Sequence, residues 1–66
     1  MNTDTLTPQE RAVFSGLIQG RSNTEIALTM ERGEKAVKSH VTSIFRKTGC
    51  KTRAQLIARY YMEKSP

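Results

Sequence analysis

Residues 33 to 49 read GEKAVKSHVTSIFRKTG, and this stretch decides the fold because it describes one helix with two different faces. Val37, Val41, Ile44 and Phe45 recur at helical spacing and are expected to point inward. On the opposite side Lys35, Ser39, Thr42 and Arg46 recur at the same spacing, with Lys38 beside them and no carboxylate in the set. One face calls for a core, the other for an anion. A helix of about 15 residues is about 22 Å long, which suits the major groove of duplex DNA. The stretch is therefore read as a recognition helix.

Charge along the chain extends this reading outward. The net charge is +5, but residues 1 to 34 hold three basic and five acidic side chains, whereas residues 35 to 66 hold eight basic and one acidic. No acid occurs between Lys35 and Met62. Such asymmetry makes one end of a small domain a positive surface, which attracts polyanions by counterion release. The alternative is a solvated basic face that serves solubility alone.

Length and composition bound what the domain can be. The 66 residues allow one domain, spanning 1 to 66 with an ordered core from about 6 to 63. A chain of this size buries only about 60% of its unfolded surface, so a partner subunit or ligand would help it. Phe14, Phe45, Tyr60 and Tyr61 with no Trp imply a small aliphatic core and little room for a buried active site. The single cysteine, Cys50, excludes an intramolecular disulfide and is no zinc set, and points to a reducing cytoplasm. No window approaches 18 consecutive apolar residues, and MNTDTLTPQE lacks the regions of a signal peptide, so no membrane is expected.

Start signals punctuate the rest. Thr7-Pro8-Gln9-Glu10 offers a Thr N-cap, Pro at the first helical position and Glu to close a capping box, and the helix should run to about Gln19. It should bury Val13, Phe14, Leu17 and Ile18 over Leu6 and end at Gly20. Ser22-Asn23-Thr24-Glu25 repeats the box and opens a short second helix that carries Ile26, Ala27 and Met30 inward. Glu31-Arg32-Gly33 then makes a tight turn, Gly33 serving as N-cap of the long third helix from about 34 to 48. Two helices joined in this way form a helix-turn-helix. Gly49 ends the third helix, and Cys50 is expected to tuck inward. Thr52-Arg53-Ala54-Gln55 is a third box, opening a last helix over about 53 to 63.

That last helix has a wide apolar arc. Leu56 and Tyr60 can fill the core, leaving Ile57, Ala58 and Tyr61 as a candidate dimer surface, unless a minimal core consumes them all. The ends, Met1 to Thr5 and Lys64 to Pro66, are expected to fray. His40 lies beside the inner face of the third helix and is read as a packing residue. No nucleophile or carboxylate constellation surrounds it, so neither catalysis nor a metal is expected. A redox role for Cys50 beside Lys47 and Lys51 is the weaker alternative to a buried structural one. GRSNTE lacks the spacing of a phosphate-binding glycine loop.

With these residues in place, LTPQERAVF, GRSNTEIA and AVKSHVTSIFRKTGCKTRAQL, from Leu6 to Leu56, resemble the LuxR-type (GerE-like) helix-turn-helix domain of bacterial transcription regulators. The −35-reading domain of sigma factors has a similar pattern, but SNTEIA and the run from Lys47 to Arg53 fit the LuxR type better. The resemblance implies an all-α, four-helix domain that dimerises through its last helix on duplex DNA. It implies no enzyme and no cofactor. By position it implies base contacts from Lys38, Ser39 and Thr42, and phosphate contacts from Ser22, Thr24 and Lys51. Lys35, Arg46 and Lys47 are assigned to the sugar-phosphate backbone on charge. At the turn the sequence departs from the family, with Arg32, Gly33 and Ala36 where an apolar residue, Ser and Thr are usual. Arg32 is expected to snorkel and add positive charge near DNA.

Partners are accordingly expected to be double-stranded DNA and a second copy of the chain. The rival reading is an interaction module that pairs with a larger LuxR-type regulator or RNA polymerase and modulates it without reading DNA. If the chain is complete, its regulation comes from expression level, a partner or cooperativity on DNA. If it is a C-terminal domain, a sensor precedes it.

Overall fold

Thr7 starts the first element by satisfying amides that a helix leaves open. Its hydroxyl accepts from the Glu10 amide at 3.1 Å while the Glu10 carboxylate accepts from the Thr7 amide at 2.9 Å. The computed structural model, which describes residues 3 to 64, contains four helices: α1 Pro8–Ile18, α2 Asn23–Met30, α3 Glu34–Thr48 and α4 Arg53–Lys64. No strand occurs among the described residues. The boundaries follow the expected caps closely. The second box closes in the same way, Ser22 with Glu25.

The third box is modified. Gln55 donates its amide to the Thr52 hydroxyl at 3.1 Å, but its side chain accepts from the Lys51 amide at 2.6 Å, one residue earlier than a reciprocal box requires. The result still starts α4. It also fastens the Lys51 backbone to the start of α4.

Helix ends fix how the elements turn. Gly20, at φ 80°, lets the Arg21 amide reach the Gly16 carbonyl and the Gly20 amide reach that of Leu17, both at 3.0 Å. The end of α2 uses the same wrap, the Arg32 amide donating to the Ala27 carbonyl at 3.0 Å, but here the left-handed residue is Glu31, at φ 55°. Gly33 is the N-cap of α3, as expected, with ordinary extended backbone and no side-chain cap. A close approach occurs where no sequence signal announces it: a Cβ added to Gly16 would stand 2.7 Å from Cγ1 of Ile26. Glycine is what lets α2 lie against α1.

The core is small and shared. Leu6, Val13, Phe14, Leu17, Ile26, Ala27, Val37, Val41, Ile44, Cys50 and Leu56 are buried, with Ile18, Met30, Phe45 and Tyr60 packed partly buried at its edge. Six of them are essentially inaccessible: Leu17, Ile26, Ile44, Leu56, Val13 and Val37. Truncating any of these to Ala removes about 2–5 kcal/mol. For a domain this small that is a large fraction of the total.

Two long-range ties close the structure. Lys47 near the end of α3 donates to the Glu10 carboxylate at 2.7 Å and to the Thr5 carbonyl at 3.1 Å, locking α3 to the start of α1. Arg53 reaches from α4 to the carbonyl of Arg21 and the side chain of Asn23, joining the starts of α4 and α2. Two residues of the ends expected to fray make contacts. Thr3 accepts from the Leu6 amide at 3.2 Å, and Lys64 sits 5.0 Å over the Tyr60 ring at the end of α4. Met1, Asn2, Ser65 and Pro66 lie outside the described residues.

Candidate nucleic-acid interface

Helix α3 separates its two duties cleanly. Val37, Val41 and Ile44 are buried against α1 and α2, and Lys35, Lys38, Ser39, Thr42 and Arg46 are exposed on the other side. Phe45 is only partly buried, at the margin of the core. Among the described residues no ion pair engages Lys35, Lys38 or Arg46. Their charges therefore face water.

The side chains differ in what they still offer. The Thr42 hydroxyl donates back to the Lys38 carbonyl at 3.1 Å, so its donor is satisfied within the helix and its methyl group is left to make contacts. Ser39 is exposed and borders a shallow groove between α3 and the start of α1, lined by Thr7, Pro8, Gln9, His40 and Ser43 among others. Gln9 and Ser43 are polar groups beside the expected base-reading residues that no sequence pattern singles out. Nothing in the periodicity of either helix pairs them, because the groove exists only once α1 and α3 pack. His40 is half-buried, in keeping with a packing role.

Around α3 the expected backbone contacts divide. Ser22 stands exposed at the start of α2, where its oxygen accepts from the Glu25 amide at 3.2 Å. Thr24, the second residue of α2, donates to the Glu34 carboxylate at 2.8 Å. Lys51 is exposed past the end of α3, its backbone held by Gln55. Lys47 stands apart from this set. Its ammonium donates to Glu10 and to the Thr5 carbonyl on the α1 side, while the residue stays exposed. Spacing alone could not foresee this, since Lys47 and Glu10 are 37 apart in the chain.

Electrostatics follow from these contacts. Hydrogen bonding to the Lys47 ammonium, then to the Thr7 amide, holds the Glu10 carboxyl below the usual carboxylate range against the opposing effect of burial. The Glu25 carboxyl is lowered chiefly by the Ser22 amide it accepts from. Both acids are consumed in helix caps. The exposed cationic face of α3 is left with one carboxylate at its beginning, Glu34.

On α4 the expected dimer residues occupy three environments. Ile57 is half-buried, Ala58 is exposed, and Tyr61 is 51% exposed although its hydroxyl donates to the Ile18 carbonyl at 2.9 Å. Met62, 75% exposed, adjoins them and was not anticipated. Leu28, on the outer side of α2, is 76% exposed. Cys50 is buried, with the Arg59 guanidinium 3.7 Å from its sulfur and donating to the Thr48 carbonyl at 3.2 Å. Among the described residues no helix is long and apolar enough to cross a membrane.

Comparison with known proteins bears on this arrangement. The family model described as bacterial regulatory proteins, luxR family, matches residues 4–60. The chain is 38% identical over 55 residues to the probable HTH-type transcriptional regulator GfsR of Streptomyces halstedii, covering 83% of this chain and 23% of that protein. It is 38% identical over 52 residues to the spore germination protein GerE of Bacillus subtilis, 79% of this chain and 70% of that one. It is also 38% identical over 61 residues to the transcriptional regulatory protein MctR of Rhizobium johnstonii, 92% of this chain and 28% of that one. The chain thus spans about a quarter of the length of GfsR and MctR, and most of GerE.

Proposed function

The chain belongs to the luxR family of bacterial regulatory proteins, and from that premise we propose that it is a cytoplasmic DNA-binding transcription regulator that reads duplex DNA as a homodimer. In this reading α3 enters the major groove. Lys38 donates to a guanine edge, Ser39 donates or accepts, and the Thr42 methyl meets a thymine methyl. Lys35, Arg46, Lys47, Lys51, Ser22, Thr24 and the amides at the start of α2 take the sugar-phosphate backbone. Ile57, Ala58 and Tyr61 of α4, extended by Met62, pair two copies so that two recognition helices meet successive half-sites.

One observation carries the reading. A helix whose apolar side packs on the core through Val37, Val41 and Ile44 presents five exposed side chains able to donate to DNA or contact it apolarly, Lys35, Lys38, Ser39, Thr42 and Arg46, with none of the three cations in an ion pair among the described residues. Structural economy alone gives no reason for that concentration of unpaired charge.

The test is a binding titration against a random duplex library, repeated at rising salt. Enrichment of a motif with two related half-sites about one helical turn apart supports the dimeric reader. No enrichment over bulk DNA, together with co-purification of a larger regulator or of RNA polymerase, would replace it with the interaction module.

A further inference from the structure

We propose that Glu34 is an acidic gate on phosphate approach, lowering the affinity of the domain for all duplexes by the same factor. The proposal rests on the DNA-binding function proposed for this chain and concerns the same surface. Glu34 is the first residue of α3 and is exposed. Its carboxylate accepts from the Thr24 hydroxyl at 2.8 Å, which places a negative charge beside the start of α2. That is where the proposed complex seats a phosphate. Among the described residues no cation pairs with Glu34.

Two consequences follow from elementary electrostatics. A phosphate arriving at the start of α2 meets a like charge, and in partly desolvated surroundings that repulsion is greater than in bulk water. The Thr24 hydroxyl, which would otherwise donate to the phosphate, is already committed to the carboxylate. Binding therefore requires Thr24 to turn away from Glu34 while Glu34 remains nearby. Neither event depends on base sequence. A uniform penalty of this kind weakens the hold on bulk DNA, so that only duplexes that add the contacts of Lys38, Ser39 and Thr42 are retained.

The experiment measures affinity for the selected duplex and for a scrambled one, at several salt concentrations, in the wild type, Glu34→Gln and Glu34→Asp. Glu34→Gln is expected to tighten both duplexes equally, by about three- to fivefold near 0.1 M salt. It should also steepen the salt slope by up to about one. Glu34→Asp, which keeps the charge, should stay near the wild type. Adding Thr24→Ala to Glu34→Gln should remove part of the gain, because the Thr24 hydroxyl, held less strongly by a neutral amide than by a carboxylate, is then missing from the phosphate. If the wild type binds and Glu34→Gln binds no tighter, the gate is refuted and the DNA-binding function stands. A change of preferred base in Glu34→Gln also refutes it, since Glu34 would then be reading sequence. If the wild type holds no duplex at all, the function beneath the gate fails first.

Discussion

Glu10 works through one carboxylate oxygen that serves both a helix cap and a tertiary tie, accepting from the Thr7 amide at 2.9 Å and from the Lys47 ammonium at 2.7 Å. Because these bonds hold its folded-state pKa below the unfolded value, its stabilisation is complete above about pH 4.3 and is lost as pH falls through the depressed folded value. Glu10→Gln is therefore expected to melt lower than the wild type at neutral pH and to lose less on acidification, leaving the smaller acid dependence that Glu25 supplies. Parallel melting-temperature curves for the two proteins between about pH 3 and 7 would exclude this role. Glu31 presents the opposite case, a residue in a conformation its side chain disfavours. Left-handed backbone costs a Cβ-bearing residue roughly 1–2 kcal/mol, and glycine's extra unfolded entropy returns about 0.5–1 kcal/mol of any relief. Glu31→Gly should thus raise stability by about 0.5–1 kcal/mol, a gain of a few degrees in Tm. Denaturant titration reads it directly, and an unchanged midpoint would mean that the turn stores no strain.

At the scale of the element, α3 is positioned by its buried side and, in the proposed complex, meets DNA with its exposed side, so substitutions on the second side should leave folding alone. Lys38→Ala is expected to change or relax the selected DNA motif, whereas Lys51→Ala should weaken all sequences alike and flatten the salt slope by about one. Equal effects of the two in a duplex selection would dissolve the division between reading and anchoring. Lys47, equally basic, also pairs with Glu10 of α1. The spacing of Lys35, Lys38, Ser39, Thr42 and Arg46 makes this face legible in the sequence, since a period of 3.6 is a property of the chain itself. The fate of Thr24 is not legible there. Its partner, Glu34, is ten residues away across the turn, and only the crossing of α2 and α3 brings hydroxyl and carboxylate within 2.8 Å.

For the whole molecule the decisive quantity is how little it can bury. Its described residues span 35 × 20 × 19 Å, and α4 is held chiefly by Leu56, the Tyr60 edge against Phe14, the Tyr61 hydroxyl and Arg53. The apolar remainder, Ala58, part of Tyr61 and Met62, is what a second copy would cover in the proposed dimer. Ala58→Glu should leave the monomer fold intact, shift sedimentation toward the monomer and weaken binding to a two-half-site duplex far more than to a single half-site. Dimers persisting unchanged in that variant would move the interface elsewhere. From its sequence alone this chain determined four helices, their N-caps, most of the buried apolar positions and the basic face, because each depends on residues within a turn or two of one another. The tertiary structure decided the rest: that Lys47 ties α3 to α1 through Glu10, that Gly16 admits Ile26, that Glu31 takes the strained turn, and that Glu34 stands beside Thr24. Each of these depends on groups from different elements meeting in space, which the periodicity within one helix does not encode.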